Sequence, residues 1–199
     1  MTAITEKIKS WPCLSNGTRF NWLVDYAAYS AFGTFELTAD EWEKRDFIQN
    51  FKGNSELTTE IDHQQAVDKA IEQVTAYLQE TFGDDLSQLT LVCIPASLAK
   101  HTQRRFERFS QAVCQATGMQ NAYDAFSYTS TTDEDGDPVD TLHIDESKLQ
   151  GKQVLLFDDI IASGGSIVRF ADQLQAMGTE VVAALALGKK ISDGYDANN

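Results

Sequence analysis

Apolar positions follow helical spacing in the first part of the chain and gather into short runs from about residue 89 onward. Thr38 and Glu41 form a capping box, the pattern that opens a helix. A second helix is indicated by apolar residues at intervals of three and four, and Gly83 ends it. Residues 1–37 are rich in aromatic side chains and show no regular period. The predicted helices of this part cover residues 38–51 and 62–81.

The second part of the chain alternates between two kinds of segment. Short runs of aliphatic residues predict strands, and longer segments with helical spacing separate them. This alternation is typical of an α/β fold, in which a mainly parallel central sheet is flanked by helices. Residues 129–149 are polar and acidic, and we expect little regular structure there. The predicted strands cover residues 89–94, 122–128, 153–157 and 180–187, and the predicted helices cover 103–117 and 166–177.

The length of 199 residues is that of one domain. We therefore expect a single domain, in which residues 1–88 supply N-terminal helices and irregular segments. Residues 89–199 are expected to form its α/β core.

The chain is strongly acidic, with 16 basic and 30 acidic side chains and a net charge of −14. This charge repels nucleic acids and anionic membrane surfaces, so neither is an expected partner. No apolar stretch reaches the length of a membrane-spanning helix, and the first residues lack the pattern of a signal peptide. The three cysteines show no metal-binding spacing, which is typical of reduced thiols in a cytoplasmic protein.

The most informative segment is residues 154–167, which read VLLFDDIIASGGSI. Four apolar residues predict a buried strand, Asp158 and Asp159 stand at its end, and a loop of small residues leads into a helix. Ligands of open parallel sheets bind at the carboxyl ends of the strands. The carboxylates can accept hydrogen bonds from sugar hydroxyls, and the loop offers backbone N–H groups to a phosphate. A ribose 5-phosphate group would satisfy both halves of the segment.

Other phosphate motifs fit this segment less well. No Gly-Lys-Ser/Thr follows the glycines, as a P-loop requires, and the Gly-x-Gly-x-x-Gly of dinucleotide-binding proteins is absent. A receiver domain needs a longer stretch after its acidic pair, and a dehalogenase-type phosphatase needs an acid where Ile160 stands. The remaining alternative is a strand end followed by a simple helix cap at Ser163 or Ser166. Capping leaves the paired acids and the two glycines unexplained.

The segment resembles the phosphoribosyl diphosphate (PRPP) binding motif of type I phosphoribosyltransferases. The resemblance implies a fold of that type, with the N-terminal part as a hood over the site. It implies that Asp158 and Asp159 contact the ribose hydroxyls and that Mg²⁺ is bound through PRPP and not directly by the protein, with a direct contact to Asp158 and Asp159 as the open alternative. Since the family is commonly dimeric, a homodimer is expected. The residues implied to hold the 5-phosphate are Ala162, which replaces a common Thr, and Ser163, Gly164, Gly165 and Ser166.

One basic cluster follows the predicted strand 89–94, at a strand end where a ligand site is expected. Its hydroxyl and cationic groups suit the oxygens of a diphosphate. The alternative is that these cations only decorate an exposed helix face. The candidate diphosphate-binding residues are Ser97, Lys100, Arg104 and Arg105.

Two segments resemble a particular group, the ComF-like, competence-associated phosphoribosyltransferases. Residues 95–112 are similar to its Pro…Arg-Gly-Phe-Asn-Gln region, and residues 47–54 to its Lys-containing turn. Two features depart from the pattern. The N-terminal cysteine cluster of that group is reduced to Cys13, and the segment that corresponds to its mobile loop, residues 127–150, is dominated by acids.

The resemblance implies an enzyme that transfers ribose 5-phosphate between PRPP and a nucleobase-like acceptor and releases diphosphate. The acceptor pocket is expected to involve the N-terminal region and the last dozen residues. Because the acidic loop departs from the pattern, a second reading stays open. In it the chain is a non-catalytic PRPP- or nucleotide-binding protein that acts in competence or nucleotide regulation.

Overall fold

The structure is a computed structural model that describes residues 3–27, 37–53, 56, 58–133 and 135–191. Its strands are β1 (Phe20–Ala27), β2 (Leu89–Cys93), β3 (Gln120–Asn121), β4 (Phe126–Thr132), β5 (Pro138–Ile144), β6 (Gln153–Ile161) and β7 (Glu180–Ile191). One sheet has the order β1–β7–β6–β2–β3, and every neighbouring pair in it is parallel. A separate antiparallel pair is formed by β4 and β5.

Helices cover both faces of the parallel sheet, and the predicted α/β class is confirmed. They are α1 (Ala3–Lys7), α2 (Ala39–Lys52), α3 (Glu60–Phe82), α4 (Ala99–Thr117) and α5 (Gly165–Ala176). One buried cluster joins α1 to α4 with one face of the sheet, and a second cluster joins α5 with the other face. Strand β2 is buried at every position because it is covered on both sides. Such strands read as continuous apolar runs.

Helix starts are set by side-chain caps. Thr38 accepts a hydrogen bond from the N–H of Glu41, and the Glu41 carboxylate accepts one from the N–H of Thr38, so the predicted capping box is confirmed. Thr59 caps α3 through the N–H of Asp62. Helix α3 therefore begins at Glu60 rather than at residue 62.

The N-terminal region contains a strand among residues expected to be irregular. Strand β1 pairs with β7 and forms one edge of the parallel sheet, so the interpretation of this stretch as irregular is wrong. Its sequence, FNWLVDYA, places apolar residues at every second position with Asn21 and Asp25 between them, and Leu23 interrupts this pattern. The alternation that marks a half-buried strand is therefore present in the sequence, although incomplete.

Residues 129–149 are more regular than expected. Strands β4 and β5 form an antiparallel hairpin through most of this segment. The predicted strand 122–128 is wrong in its first half, where Tyr123–Ala125 form a 3-10 helix. Most side chains of β4 are exposed, so the hairpin has only a weak hydrophobic pattern in its sequence.

Strand β6 continues four residues beyond its predicted end at Phe157, to Ile161. The acidic pair therefore lies inside the strand and not in a loop after it. Strand β7 is also longer than predicted and continues beside β6 to Ile191. None of the helices within the described ranges has the length and apolar character needed to cross a bilayer.

Candidate functional site

The acidic pair lies where β6 extends beyond its neighbour β2. The last residue pair between these strands joins Phe157 to Cys93, and Asp158 is the next residue along β6. On the other side, Asp158 is paired with Ala186 of β7. The two carboxylates are therefore placed at the carboxyl edge of the parallel sheet, where ligands of such sheets bind.

The two carboxylates point in different directions because successive strand residues face opposite sides of a sheet. Asp159 is 6% exposed and forms an ion pair with Arg105 of α4, with 2.8 Å between Oδ2 and Nη1. Asp158 instead lines a cavity of about 70 Å³ together with residues 160–167. Of the two acids, Asp158 is thus the one that shares a cavity with the predicted phosphate loop.

The environment of Asp158 disfavours its charge. Burial raises the pKa of the Asp158 carboxyl to about 8, and the neighbouring Asp159 adds to this effect. The N–H of Asp159, which donates to Asp158 Oδ1 at 2.8 Å, and the charges of Arg105 and Lys52 act in the opposite direction. The raised pKa favours the protonated carboxyl, which can donate as well as accept a hydrogen bond. A cation brought close by a ligand would favour its ionised form.

The loop of residues 162–166 turns the chain from β6 into α5. Gly164 has a φ of +78°, a left-handed conformation that favours glycine, and a Cβ at this position would overlap Leu14. Within the described residues, α5 has neither a side-chain N-cap nor an acidic residue in its first turn. Apart from a 3.5 Å contact between Gly165 N and Ser163 Oγ, its first N–H groups are therefore left for a ligand. The helix dipole favours an anion there.

The two arginines predicted to bind diphosphate are both engaged by protein groups and diverge. Arg105 points to Asp159, and its Nε also donates to the carbonyl of Lys52 at 3.1 Å. Arg104 points toward α2 and α3, where it donates to the Gly53 carbonyl at 3.1 Å and to Glu60 at 2.8 Å. The structure thus brings one of the two, Arg105, to the acidic pair.

The other two predicted diphosphate ligands, Ser97 and Lys100, are exposed where the chain enters α4. The acidic hairpin reaches the same place. Asp140 of β5 accepts a hydrogen bond from the N–H of Ala99 at 2.6 Å and another from the hydroxyl of Ser130. These bonds, first that of Ser130, lower the pKa of the Asp140 carboxyl, and the charge of Lys100 acts in the same direction. The first N–H group of α4 is therefore already hydrogen-bonded to a carboxylate of the protein.

Three features of the site are not predicted from the sequence. Arg105 and Asp159 are 54 positions apart, and Asp140 is 41 positions from Ala99, so no local pattern signals either contact. Lys52, whose charge acts on Asp158, has one signal, its place in the Lys-containing turn at residues 47–54.

The described residues contain no group of three or more His, Cys, Asp or Glu side chains that could hold a metal ion. Asp159 is engaged by Arg105, which leaves Asp158 as the acid of the pair that faces a cavity. A Mg²⁺ ion here would therefore take most of its ligands from substrate and water, a common arrangement for Mg²⁺ at phosphate sites.

The predicted acceptor pocket falls in part outside the described residues, since residues 28–36 and 192–199 are not among them. A separate cavity of about 180 Å³ lies between α4 and the hairpin. Tyr123, Phe126 and Tyr128 line it, together with polar groups of α4. Asp158 is not among the residues that line this second cavity.

Comparison with known protein families gives a match that covers most of the site. A family model described as phosphoribosyl transferase domain matches residues 58–198. This range includes the acidic pair, the loop of residues 162–166 and the basic cluster of α4. No curated protein matches the chain.

Solved structures with a similar fold share little sequence with the chain. An adenine phosphoribosyltransferase from Thermoanaerobacter pseudethanolicus is 18% identical, with 65% of this chain and 72% of that chain covered and a TM-score of 0.39. An APRTase from Giardia lamblia in complex with 9-deazaadenine is 13% identical, with 65% and 82% covered and a TM-score of 0.38. A phosphoribosylpyrophosphate synthetase from Mycobacterium smegmatis is 17% identical, with 61% of this chain and 33% of that chain covered and a TM-score of 0.37. At these TM-scores the likenesses add nothing to the family match.

Proposed function

We propose, from the premise that this chain belongs to the phosphoribosyl transferase domain family, that it binds PRPP and transfers its ribose 5-phosphate to a nucleobase-like acceptor. Diphosphate is the other product. The observation that carries this proposal is the cavity in which Asp158 and the loop of residues 160–167 line the same space. A carboxyl group and a row of helix N-terminal N–H groups at one cavity match a sugar hydroxyl next to a phosphate.

Each part of the cavity has a role in this proposal. Asp158 binds a ribose hydroxyl and, once ionised, places negative charge near C1 as the bond to diphosphate breaks. The N–H groups at the start of α5 and the hydroxyls of Ser163 and Ser166 bind the 5-phosphate. Asp159 forms an ion pair with Arg105 and so helps to fix the strand that carries Asp158. A direct contact between Asp159 and the ribose stays a prediction. Asp158 would help to hold a Mg²⁺ ion that enters with PRPP, and this ion would supply charge neutralisation at the diphosphate.

Ser97 and Lys100 are proposed to bind the diphosphate, because they are exposed beside the carboxyl edge of the sheet. Arg104 and Arg105 would join them only if their present contacts to Glu60 and Asp159 opened. Since the buried pair of Arg105 with Asp159 is costly to break and Arg104 points away toward Gly53 and Glu60, we assign the diphosphate to Ser97 and Lys100 first. A homodimer of ComF-like type remains part of the proposal, and analytical ultracentrifugation measures the oligomeric state.

Calorimetric titration with PRPP and Mg²⁺ tests the proposal directly. We expect the wild-type chain to bind and Asp158→Asn to lose roughly tenfold or more in affinity, the effect of one hydrogen bond to a charged group. Asp172→Asn is the matched control, because Asp172 lies on α5 and bonds only to Asn16 among the described residues. Diphosphate release in the presence of a panel of nucleobases then identifies the acceptor. A wild-type chain that fails to bind PRPP would reject the proposal.

A second candidate function is favoured by one contact. Asp140 occupies the N–H of Ala99, next to the residues assigned to diphosphate, so this N–H is not free to stabilise a departing diphosphate. This suits a non-catalytic protein that binds PRPP or a nucleotide and acts in competence or nucleotide regulation. Tight PRPP binding without diphosphate release for any base would favour this function, whereas release with one base would favour the transferase.

A further inference from the structure

The cavity of about 180 Å³ between α4 and the β4–β5 hairpin shares no lining residue with the Asp158 cavity. Its lining comes from the end of β2, from α4 and from the segment that leads into β4. Cys93, Ala99 and Phe126 belong to these three parts in turn. A ligand in this cavity would therefore contact the sheet, α4 and the hairpin at once.

The lining of this cavity is uncharged, although the chain as a whole carries a net charge of −14. None of the described residues around the cavity is Asp, Glu, Lys, Arg or His. Burial raises the pKa of the Tyr123 hydroxyl to about 12 and that of the Cys93 thiol well above its usual value, so both are neutral near pH 7. Because a buried ion needs a partner of opposite charge, the cavity is suited to an uncharged ligand and not to a phosphate.

Aromatic side chains give the cavity surfaces on which a planar ring can stack. Tyr123, Phe126 and Tyr128 line it. The Tyr128 ring is held in place, because its hydroxyl donates to the Ala96 carbonyl at 2.8 Å and lies 2.6 Å from the Thr102 hydroxyl. Aromatic rings pack favourably in stacked or edge-to-face arrangements. Since an engineered apolar cavity of about 150 Å³ holds benzene, this cavity has room for one aromatic ring with polar substituents.

Two polar groups of the lining have unused hydrogen-bonding capacity. The Tyr123 hydroxyl, which can donate and accept, has no partner among the described residues. Gln103 donates through Nε2 to Glu107 at 3.1 Å, whereas its Oε1, an acceptor, has no partner in the same part of the chain. A ring with both a donor and an acceptor on its edge could bond to these two groups. Nucleobases combine a planar neutral ring with such an edge.

We propose that this cavity is a second ligand site, which binds a neutral heteroaromatic ring of nucleobase type and thereby holds the hairpin against α4. The effect on the hairpin follows because Tyr128 of β4 lines the cavity, as does Ala99, whose N–H is bonded to Asp140 of β5. Asp158 does not line the cavity, so the ring has a regulatory role here and not that of the acceptor. The site goes beyond the proposed function and does not depend on PRPP.

Calorimetric titration of the full chain with uracil and with adenine, in the absence of PRPP, tests this site. Dihydrouracil is the matched probe, because it keeps the polar groups of uracil on a ring that is not aromatic. Tyr123→Phe removes the unpartnered hydroxyl, and Ala99→Leu fills part of the cavity. Gln103→Leu removes the free acceptor. Its control is Gln111→Leu, which replaces an exposed glutamine of the same helix that does not line the cavity.

We expect at least one of the two bases to bind and to slow amide hydrogen exchange in β4 and β5. Tyr123→Phe and Gln103→Leu should each weaken binding roughly fivefold, the effect of one neutral hydrogen bond, and Gln111→Leu should change it less than about twofold. Ala99→Leu should abolish binding. Dihydrouracil should bind more weakly than uracil, because it cannot stack in the same way. The unfolding temperature of Tyr123→Phe should equal that of the wild-type chain, so a purely structural role of Tyr123 would not explain its weaker binding.

The proposal fails if neither base binds, or if uracil and dihydrouracil bind equally well. It also fails if a base binds but Tyr123→Phe and Gln103→Leu leave its affinity unchanged, since the base would then lie elsewhere, as in the acceptor pocket of the proposed function. These two variants decide the outcome even if Ala99→Leu does not fold. Titration of the wild-type chain with PRPP tests the proposed function separately, so the failure of one proposal is distinguished from the failure of the other.

Discussion

Two adjacent carboxyls at the edge of a buried strand need compensating charge. Of these two, Asp159 forms a direct ion pair within the described chain and Asp158 does not. The pairing of Asp159 with Arg105 is buried on both sides, and a charge buried without a partner would be far more costly. Asp158 has no such ion pair; it accepts one hydrogen bond from a backbone N–H, and its pKa is raised. Groups whose ionisation a fold disfavours in this way concentrate at functional sites. The asymmetry between the two acids therefore marks Asp158 as the one available to a ligand.

We predict that Asp158→Asn removes a pH dependence of stability. The pKa of Asp158 is about 8 in the folded chain against an ordinary value of 3.8, so between these values the folded state holds a proton that the unfolded state has lost. The contribution to the free energy of unfolding is complete below about pH 4 and is lost as the pH rises through about 8. Its slope is at most about 1.4 kcal/mol per pH unit. Urea unfolding at several pH values measures it.

At a pH of about 8 the Asn variant should therefore be more stable than the wild-type chain, and near pH 4 the two should differ little. Asp172→Asn serves as the control that keeps the wild-type profile, since Asp172 is exposed. Parallel profiles for the wild-type chain and Asp158→Asn would contradict the prediction.

We predict that Gly164→Ala is more destabilising than Gly178→Ala. Both glycines have positive φ, +78° and +83°, so each alanine costs about 1–2 kcal/mol for the left-handed conformation. Only the Cβ at 164 overlaps Leu14, whereas the nearest atom at 178 is a Gln150 carbon at 3.5 Å. Urea denaturation gives both free energies of unfolding. Equal losses at the two positions would show that Leu14 can move aside at no cost.

At the scale of elements, the β4–β5 hairpin is attached to the start of α4 by specific polar contacts. The hydroxyl of Tyr128 lies 2.8 Å from the Ala96 carbonyl and 2.6 Å from the Thr102 hydroxyl. Thr102 in turn accepts from the N–H of Ala96 at 2.8 Å. The hairpin is otherwise an exposed ribbon of two strands, and such ribbons are marginally stable alone. Its order therefore depends on these contacts together with the packing of its base.

We predict that Tyr128→Phe loosens the hairpin. The loss of these hydrogen bonds should lower stability by about 1 kcal/mol, and amide hydrogen exchange should increase in β4 and β5 more than in the parallel sheet. Tyr123→Phe is the control, because no described residue bonds to the Tyr123 hydroxyl although its ring lines the same cavity. If exchange in the hairpin is equally unchanged in both variants, another contact holds the hairpin in place.

The elements differ in how well their sequences predict them, for physical reasons. The central strands and α2 to α5 follow from apolar runs, helical spacing and caps, because their stability depends on burial that leaves a local pattern. The β4–β5 hairpin has mostly exposed side chains, so its sequence carries only a weak hydrophobic pattern. Strand β1 does alternate between apolar and polar residues, but Leu23 interrupts the alternation within an aromatic-rich stretch.

For the candidate site, local sequence indicates the strand, the acidic pair and the phosphate loop, since they are contiguous. It could not indicate which way each acid faces. That depends on the longer course of β6 past β2 and on Arg105, which reaches Asp159 from another element. The contacts of the predicted basic cluster are also made with residues distant in sequence, because Arg104 bonds to Gly53 at the end of α2 and to Glu60 of α3. Local sequence could not indicate them.

At the scale of the molecule, the net charge of −14 has to be reconciled with an anionic ligand. Long-range attraction cannot draw PRPP to such a protein, so binding has to come from contacts within the site. In the proposed site, the N–H groups of α5 and the side chain of Lys100 would supply these contacts. The Mg²⁺ proposed to accompany PRPP lowers the charge that the protein has to accept.

The cysteines provide a test of whether the molecule unfolds as one unit. Cys13 is exposed, whereas Cys93 of β2 and Cys114 of α4 are buried. Burial raises the pKa of the Cys114 thiol to about 12 and that of the Cys93 thiol well above its usual value, so neither forms the reactive thiolate while folded. We therefore predict that a thiol reagent labels one cysteine rapidly in the native chain and the other two only as the chain opens.

In a Cys13→Ser variant, labelling of the remaining two thiols measures this opening. If the predicted single domain is correct, Cys93 and Cys114 should react at the same slow rate, because the sheet and α4 then open together. PRPP with Mg²⁺ should slow both by the factor 1 + [L]/Kd, since a ligand of the folded state stabilises everything that unfolds with its site. Faster labelling of Cys114 than of Cys93 would mean that α4 opens by itself. Because Arg105 lies on α4, its ion pair with Asp159 would then break while the sheet stays folded.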